Sequence, residues 1–241
     1  MDGVLVINKP TGMTSHDVVS RIKRRLGASK VGHLGTLDPM ATGVLPLVVN
    51  RATKYAGVLQ GGVKEYLATM KLGVETDTYD ADGRVVGASD AASVTEGGLR
   101  DVLMGFVGRI HQIPPMFSAV KRQGVPLYRL ARKGVVVERE PREIEVHSIT
   151  FLDFSPPYAT FSMGCSRGTY VRTLCHDAGK SLGCGAHLAR LIRTRSGRFK
   201  LDGALSMEAA DEALGKGIIP LKELLSDAEG AGDYWRGDLA S

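Results

Sequence analysis

Two long stretches of alternating polarity, joined by a proline-containing turn, most constrain the fold of this chain. Residues Glu143 to Phe154 and Tyr158 to Cys165 are typical of β-strands, and Ser155-Pro156-Pro157 between them is typical of a hairpin turn. A third alternating stretch predicts a strand from Lys64 to Leu72, with one face formed by Lys64, Tyr66, Ala68, Met70 and Leu72. The sheet is therefore expected to contain antiparallel strands.

Helical patterns are interspersed with these strands. A basic helix is expected to begin with Ser15 as its N-cap and to stop at Gly27, and a second helix from Ser93 to Phe106. Further helical segments are expected at Pro126 to Lys133, after an N-cap at Thr169, at Ala186 to Ile192, at Met207 to Leu214 and at Ile218 to Leu225. Because no regular strand-helix repeat occurs, the pattern predicts an α+β fold with a mixed, mostly antiparallel central sheet flanked by helices.

Composition and length favour a globular protein. The 241 residues are 43% hydrophobic and 24% charged, which excludes general disorder, and no apolar run approaches the length of a membrane span. The first residues show no basic leader followed by an apolar segment, so we expect a cytoplasmic protein that does not contact a membrane. The three cysteines, which form no Cys-x-x-Cys pair, are expected to be buried apolar residues: Cys165, Cys175 and Cys184.

Charge is unevenly distributed along the chain, although the net charge is only +5. Basic residues crowd residues 21–30 and 167–198, whereas acidic residues gather at Glu75 to Asp82 and after Glu208. Such segregation indicates a polyanionic partner, with nucleic acid first, and its alternative is ordinary solvated surface charge.

A glycine-rich loop from Gly32 to Gly43 presents one carboxylate, Asp38. Pro39 disfavours a helical conformation at Asp38, and the glycines allow tight turns and close approach of a ligand. Taken alone, the loop is more typical of a surface turn that contains Asp-Pro, and only the rest of the chain can favour a functional role. The chain has no phosphate-binding Gly-x-x-x-x-Gly-Lys motif, no Gly-x-Gly-x-x-Gly, no His-Glu-x-x-His and no Gly-x-Ser-x-Gly.

Five ordered blocks carry a resemblance to a known family. They are Lys9-Pro10-x-Gly12-x-Thr14-Ser15, Gly32-His33-x-Gly35-x-Leu37-Asp38-Pro39-x-Ala41-Thr42-Gly43, Lys64-Glu65-Tyr66, Gln112-x-Pro114-Pro115-x-x-Ser118-Ala119-x-Lys121 and Gly168-Thr169-Tyr170-x-Arg172-x-Leu174. Together they resemble the TruB family of tRNA pseudouridine synthases, over residues 3 to 225. The resemblance implies the pseudouridine synthase fold and isomerisation of uridine 55 in the T-loop of tRNA, without metal or organic cofactor.

The resemblance also implies roles for individual residues. Asp38 matches the family's nucleophile, Arg172 the arginine that pairs with it, and Tyr66 the tyrosine that stacks on the target base and is the candidate for proton transfer. Tyr170 matches a second tyrosine of the pocket, and Leu191 an apolar wall. His33 is expected to fill or contact the space that the flipped base leaves, and Lys64 is expected to have a supporting role. Phosphate contacts are expected from Lys9, Arg24 and Lys121.

The expected organisation is a catalytic domain over residues 1–228 and a short tail over 229–241, too short for the PUA domain that bacterial relatives carry. The expected partner is the T-arm of tRNA, bound by a monomer without a guide RNA. Two alternatives stay open at this stage: an RNA-binding or tRNA-folding module with secondary or no catalysis, and a hydrolase with an aspartate nucleophile, which would normally need a metal.

Overall fold

The computed structural model describes residues 1–212 and 215–230. Within them, the helices are α1 Ser15–Leu26, α2 Ala56–Leu59, α3 Glu96–Met104, α4 Leu127–Ala131, α5 Val171–Ser181, α6 Met207–Glu212 and α7 Leu221–Gly230. The strands are β1 Gly3–Lys9, β2 Val31–His33, β3 Thr42–Val49, β4 Lys64–Leu72, β5 Val74–Thr76, β6 Val85–Ala88, β7 Gly108–Gln112, β8 Lys121–Arg122, β9 Val125–Pro126, β10 Arg142–Ser155, β11 Tyr158–Cys165, β12 Ala186–Ser196, β13 Phe199–Lys200 and β14 Ile218–Pro220.

The chain divides into two compact units. The first unit holds Met1–Lys64 and the chain from Ile192 onward, and the second holds Glu65–Leu191. The boundary falls at one end of β4 and within β12, so both strands belong in part to each unit.

The first unit is built on antiparallel strands around β1. Strand β1 pairs with β14 on one side and with β3 on the other, and β2 also pairs with β3 in antiparallel register. The last part of β12 adds the parallel component, because Ile192 and Arg193 lie opposite Thr42 and Gly43 of β3. The core of this unit consists of Val4, Val6, Leu34, Val44, Val48, Ala52, Leu59, Phe199 and Leu224.

Helix α1 follows the predicted pattern, but its cap lies one residue earlier than expected. The N-cap is Thr14, whose hydroxyl accepts a hydrogen bond from the Asp17 amide, while the Asp17 carboxylate accepts one from the Thr14 amide. This reciprocal pair is a capping box. Ser15, the predicted cap, is instead the first helical residue and is buried.

The second unit contains the predicted hairpin. Strands β10 and β11 pair in antiparallel register, and β10 also pairs with β7. The predicted alternation of β4 is confirmed, because Lys64, Tyr66, Ala68, Met70 and Leu72 are all buried while the residues between them are half-exposed. The three cysteines are buried, as expected.

Several predicted boundaries and one predicted element are wrong. Residues Ala186 to Ile192 are not helical but form the first part of strand β12, and helix α5 has Tyr170, not Thr169, at its N-cap. The segment from Ile218 begins as strand β14 before helix α7, and α7 continues to Gly230, beyond the frayed end predicted from Ser226. Leu214 and residues 231–241 lie outside the described residues.

The predicted α+β class with a mixed, mostly antiparallel sheet is confirmed. Among the helices of residues 1–212 and 215–230, none has an apolar stretch of the length that a bilayer crossing requires.

Candidate active site

Asp38 lies in the first unit, in the loop that connects β2 to β3. The residue is half-buried, and its carbonyl accepts a hydrogen bond from the Ala41 amide at 3.1 Å. The next carbonyl, of Pro39, accepts one from the Gly12 amide at 2.9 Å. The loop is therefore fastened to the turn after β1, and the backbone on both sides of the carboxylate is defined.

The buried side chain of Lys9 also holds this loop. The side chain is fully buried, and its ammonium donates hydrogen bonds to the carbonyls of Pro10 at 2.8 Å, Met13 at 2.6 Å and Pro39 at 3.0 Å. An ammonium group has three protons to donate, and through these bonds Lys9 ties the turn after β1 to the Asp38 loop. The expected phosphate contact by Lys9 stays a prediction, and the burial of the side chain favours a structural role.

The side chains of Arg193 and Ser15 also hold the backbone of the Asp38 loop, a role that the sequence did not predict. The Arg193 guanidinium donates to the carbonyls of Val44 at 2.7 Å, Gly35 at 3.1 Å and Thr36 at 3.2 Å, and the residue is only 1% exposed. The Ser15 hydroxyl accepts from the Leu37 amide at 2.8 Å and donates to the Leu37 carbonyl at 3.1 Å. The backbone on both sides of Asp38 is thus held by side chains from β12 and α1.

A glycine makes the approach of β12 to β3 possible. Gly43 has φ of +102°, and a Cβ at this position would overlap the Arg193 carbonyl. A side chain here would both strain the backbone and push β12 away. Arg193 lies in the basic stretch of residues 167–198, which was interpreted as the footprint of a polyanionic partner, so its structural role was not predicted.

His33, at the end of β2, lies close enough to Arg193 for their charges to interact. Burial, with the charges of Arg193 and His16 adding to it, lowers the pKa of His33 below its ordinary value. The neutral imidazole is therefore favoured at neutral pH. Its Nδ1 atom is buried without a hydrogen-bond partner in the described part of the chain.

Arg172 is a buried arginine of the second unit that contacts several polar groups. It lies in the first turn of α5, is 3% exposed, and donates hydrogen bonds to the carbonyls of Thr78 at 3.0 Å and Phe117 at 2.7 Å. Its Nη1 atom is also 3.7 Å from Oδ2 of Asp80, which is buried as well. The sequence places Asp80 only in the acidic cluster of Glu75 to Asp82, because nothing in that segment reveals a partner 92 positions further along the chain.

Tyr170 precedes Arg172 at the start of the same helix. The Arg172 guanidinium carbon lies 5.6 Å from the centre of the Tyr170 ring, within the range of a cation–π contact. The amide of Gln112 binds both backbone groups of Tyr170, accepting from its N–H at 2.8 Å and donating to its carbonyl at 3.0 Å. Gln112 thus fixes the start of α5, where Tyr170 and Arg172 lie close together.

The remaining expected site residues divide between buried and exposed positions. Tyr66 on β4 and Leu191 on β12 are buried in the second unit. Lys64 is buried in the first unit, and its ammonium donates to the Gln60 carbonyl at 2.8 Å, in keeping with a support role. Arg24 on α1 and Lys121 on β8 are exposed, as a phosphate contact requires.

Two family models together cover most of the chain. The N-terminal domain of the TruB family of pseudouridylate synthases matches residues 23–171, and the C-terminal domain of tRNA pseudouridylate synthase B matches residues 172–229. The chain belongs to the TruB family of pseudouridylate synthases. The family and the enzyme class implied by the sequence blocks, a tRNA pseudouridine synthase, are thereby confirmed.

Curated TruB relatives match over most of the chain. The tRNA pseudouridine synthase B of Geobacter sulfurreducens is 55% identical over 212 residues, which cover 88% of this chain and 70% of the relative. That of Opitutus terrae is 48% identical over 224 residues, which cover 93% of this chain and 90% of the relative.

Two solved structures share the TruB-like fold. A Cbf5-Nop10-Gar1 complex contains a chain that is 33% identical, with a TM-score of 0.69 over 97% of this chain. An H/ACA RNP bound to a substrate RNA containing 2′-deoxyuridine contains one that is 30% identical, with a TM-score of 0.65 over 98% of this chain. This chain spans 58% of the length of each of these longer chains.

Proposed function

We propose that this chain isomerises uridine 55 in the T-loop of tRNA to pseudouridine, with Asp38 as the nucleophile. The observation that carries the proposal is the fixation of the Asp38 loop. Lys9, Ser15 and Arg193 together hold the backbone carbonyls on both sides of Asp38. A nucleophile must be held in one position to attack one atom of a bound substrate, and such preorganisation is a large part of catalysis. Family membership supplies the reaction type.

The reaction breaks one bond to the ribose and makes another. The bond between C1′ and N1 of uracil breaks, the base turns over while it stays bound, and C5 forms the new bond to C1′. C5 then loses its proton and N1 gains one, so that the product is an isomer of the substrate. Asp38 takes part by adding to C6 of the base, by attacking C1′, or by assisting a glycal route.

The target nucleotide must leave the T-loop stack before any of these steps. Flipping costs about a few kcal/mol, and stacking and contacts to flanking nucleotides offset this cost. In this proposal Tyr66 stacks on the flipped uracil and serves the proton transfer at C5, and His33 contacts the space that the base leaves. Leu191 forms an apolar wall and Lys64 supports the strand that carries Tyr66.

Arg172 provides the positive charge for the proposed chemistry. It matches the arginine that the family pairs with its nucleophile, and in this proposal it supplies positive charge to the reaction of Asp38. Tyr170 orients the guanidinium and the ribose. Arg24 and Lys121, which are exposed, contact phosphates of the T-arm and carry no sequence information of their own.

The proposed substrate is free tRNA in the cytoplasm, bound by a monomer that needs no guide RNA. The relatives named tRNA pseudouridine synthase B support tRNA as the substrate. Purified protein and an unmodified T-arm oligonucleotide, with no other RNA present, are therefore expected to give pseudouridine.

The decisive experiment compares wild type with Asp38→Asn on that T-arm. We expect Asp38→Asn to form no measurable pseudouridine while its Kd for the T-arm stays within about threefold, since the amide keeps the shape but not the nucleophile. The matched control is Asp101→Asn, at an exposed position of α3, which should retain full activity. Turnover by Asp38→Asn near the wild-type rate would overturn the assignment. A wild type that binds RNA without turnover would favour the RNA-binding or tRNA-folding module.

A further inference from the structure

Tyr79, in the segment between β5 and β6, has an unusual backbone conformation. Its φ is +66°, in the left-handed region of backbone conformations that residues other than glycine rarely adopt. The residue is half-buried, and its amide donates to the Thr76 carbonyl at 3.2 Å. A strained conformation persists only when its surroundings hold it in place, and such residues cluster at functional sites.

Both sequence neighbours of Tyr79 contact Arg172. Thr78 accepts through its carbonyl at 3.0 Å, and Asp80 presents Oδ2 at 3.7 Å. The other carboxylate oxygen of Asp80 accepts from the Thr78 hydroxyl at 2.6 Å and from the Asp82 amide at 3.2 Å. The conformation at Tyr79 sets the direction of the peptides on either side of it. A change of Tyr79 to a negative φ would turn these two peptides relative to each other and so displace the groups that face the guanidinium.

The ring of Tyr79 is held by a histidine on the helix that carries Arg172. The rings of Tyr79 and His176 are parallel to within 11°, with centres 3.8 Å apart. His176 follows Arg172 by four positions in α5, and this spacing places both side chains on one face of the helix. Helix α5 therefore contacts the segment of Thr78 to Asp80 at two points, through the guanidinium of Arg172 and through the imidazole of His176.

The surroundings of His176 favour a neutral, stacked ring. The residue is 6% exposed, and Oε1 of Glu75 lies 3.5 Å from its Nδ1. Burial, with Lys180 adding to it and Glu75 opposing it, lowers the pKa of His176. Backbone hydrogen bonds to Leu188 also hold the segment, at 2.9 Å from the Leu188 amide to the Tyr79 carbonyl and at 3.0 Å from the Ala81 amide to the Leu188 carbonyl. These bonds anchor the backbone but not the ring.

We propose that the stacked pair of Tyr79 and His176 is a positioning element for Arg172. The stack holds Tyr79 in its left-handed conformation, and that conformation presents the Thr78 carbonyl and the Asp80 carboxylate to the guanidinium. Neither ring acts on the substrate. The inference rests on the proposed function, in which Arg172 serves the reaction of Asp38.

The test separates loss of the stack from loss of ring polarity. We expect Tyr79→Ala and His176→Ala to lower kcat for the T-arm about 10- to 100-fold, as displacement of a reacting group does, with KM and the T-arm Kd within about threefold. Tyr79→Phe and His176→Phe keep two flat rings and should retain kcat within about threefold. The double alanine variant should be no worse than either single variant, because both remove one interaction. His147→Ala, on β10, is the control.

Hydrogen exchange gives a second result that does not need activity. The amides of Ala81 and Leu188 should exchange faster in the two alanine variants and at the wild-type rate in the two phenylalanine variants. Alanine variants with unchanged kcat and exchange would overturn the inference, and so would an additive double variant or equal losses for Phe and Ala. A wild type that forms no pseudouridine but shows the expected exchange pattern would leave the stack standing and reject the proposed function instead.

Discussion

At the scale of single residues, this protein uses buried cations to hold backbone carbonyls. Lys9 and Arg193 are each at most 1% exposed, and together they bind six carbonyls on and around the Asp38 loop. A sequence gives residue type but not burial, so both residues are counted with the basic surface until a structure separates them. Hydrogen bonds from charged donors are stronger than neutral ones, which suits a loop that must not move.

Replacing Lys9 by methionine tests this structural role. Methionine is of similar length and has no donors, so three carbonyls lose their partner, and only part of that loss is offset by removal of a buried charge. We expect the free energy of unfolding to fall by about 2–4 kcal/mol. We also expect kcat to fall about 100-fold as the loop loosens. Urea unfolding and the T-arm assay measure both.

The matched control for Lys9 is Lys23→Met. Lys23 is exposed on α1, so its replacement should change the free energy of unfolding by less than about 0.5 kcal/mol. If Lys9→Met had wild-type stability but bound the T-arm more weakly, with a shallower salt dependence, Lys9 would be the phosphate contact that the family resemblance implies.

At the scale of elements, local patterns were reliable where one face of an element is buried and the other is not. Strand β4 is such a case, since its buried and half-exposed residues alternate along its whole length. Strand β12 is the opposite case. Leu188, Leu191 and Ile192 have helical spacing, yet the residues form a strand because β12 pairs with β4 and, through Ile192 and Arg193, with β3, about 150 positions away in the chain. A local sequence window around β12 does not contain β3. The burial of Arg193 against β3 could not be predicted for the same reason.

The start of helix α5 depends on one side chain from another element. Tyr170, its N-cap, makes no side-chain cap bond, and the amide of the buried Gln112 binds its backbone N–H and carbonyl instead. In Gln112→Ala both backbone groups would lose this partner, so we expect the free energy of unfolding to fall by about 2–3 kcal/mol. Because Arg172 lies two residues further on, kcat should fall as well. Urea unfolding and the T-arm assay measure the two effects.

Gln112→Glu separates the two bonds. A carboxylate still accepts from the Tyr170 N–H but cannot donate to its carbonyl, so the loss of stability should lie between those of wild type and Gln112→Ala. Equal stability of Gln112→Ala and wild type would show that α5 starts without this contact.

At the scale of the whole molecule, the five sequence blocks identify the family, and no single unit holds all of them. The first two blocks, with Asp38 and His33, fall in the unit built from the chain's beginning and its return after Ile192. The last two blocks, with Gln112 and Arg172, fall in the other unit. Ordered blocks predict which residues matter. They do not predict residues such as Asp80, Tyr79 and His176, whose roles come from contacts across long sequence distances.

The uneven charge of the chain leads to a prediction about binding to tRNA. Arg172 and Arg193 of the basic stretch at residues 167–198 are buried, so we expect phosphate contacts from exposed cations such as Arg24 and Lys121. Each phosphate contact adds to the slope of log K against log salt, because counterions return to the RNA when it dissociates. We expect Arg24→Gln and Lys121→Gln each to reduce that slope by about 1, with kcat at saturating tRNA nearly unchanged.

The control is Arg100→Gln, an exposed arginine paired with Glu96 on α3, which should leave the slope as it is. Titrations of T-arm binding over a range of salt concentrations measure the slopes, and a wild-type affinity that does not change with salt would refute the role of the basic surface.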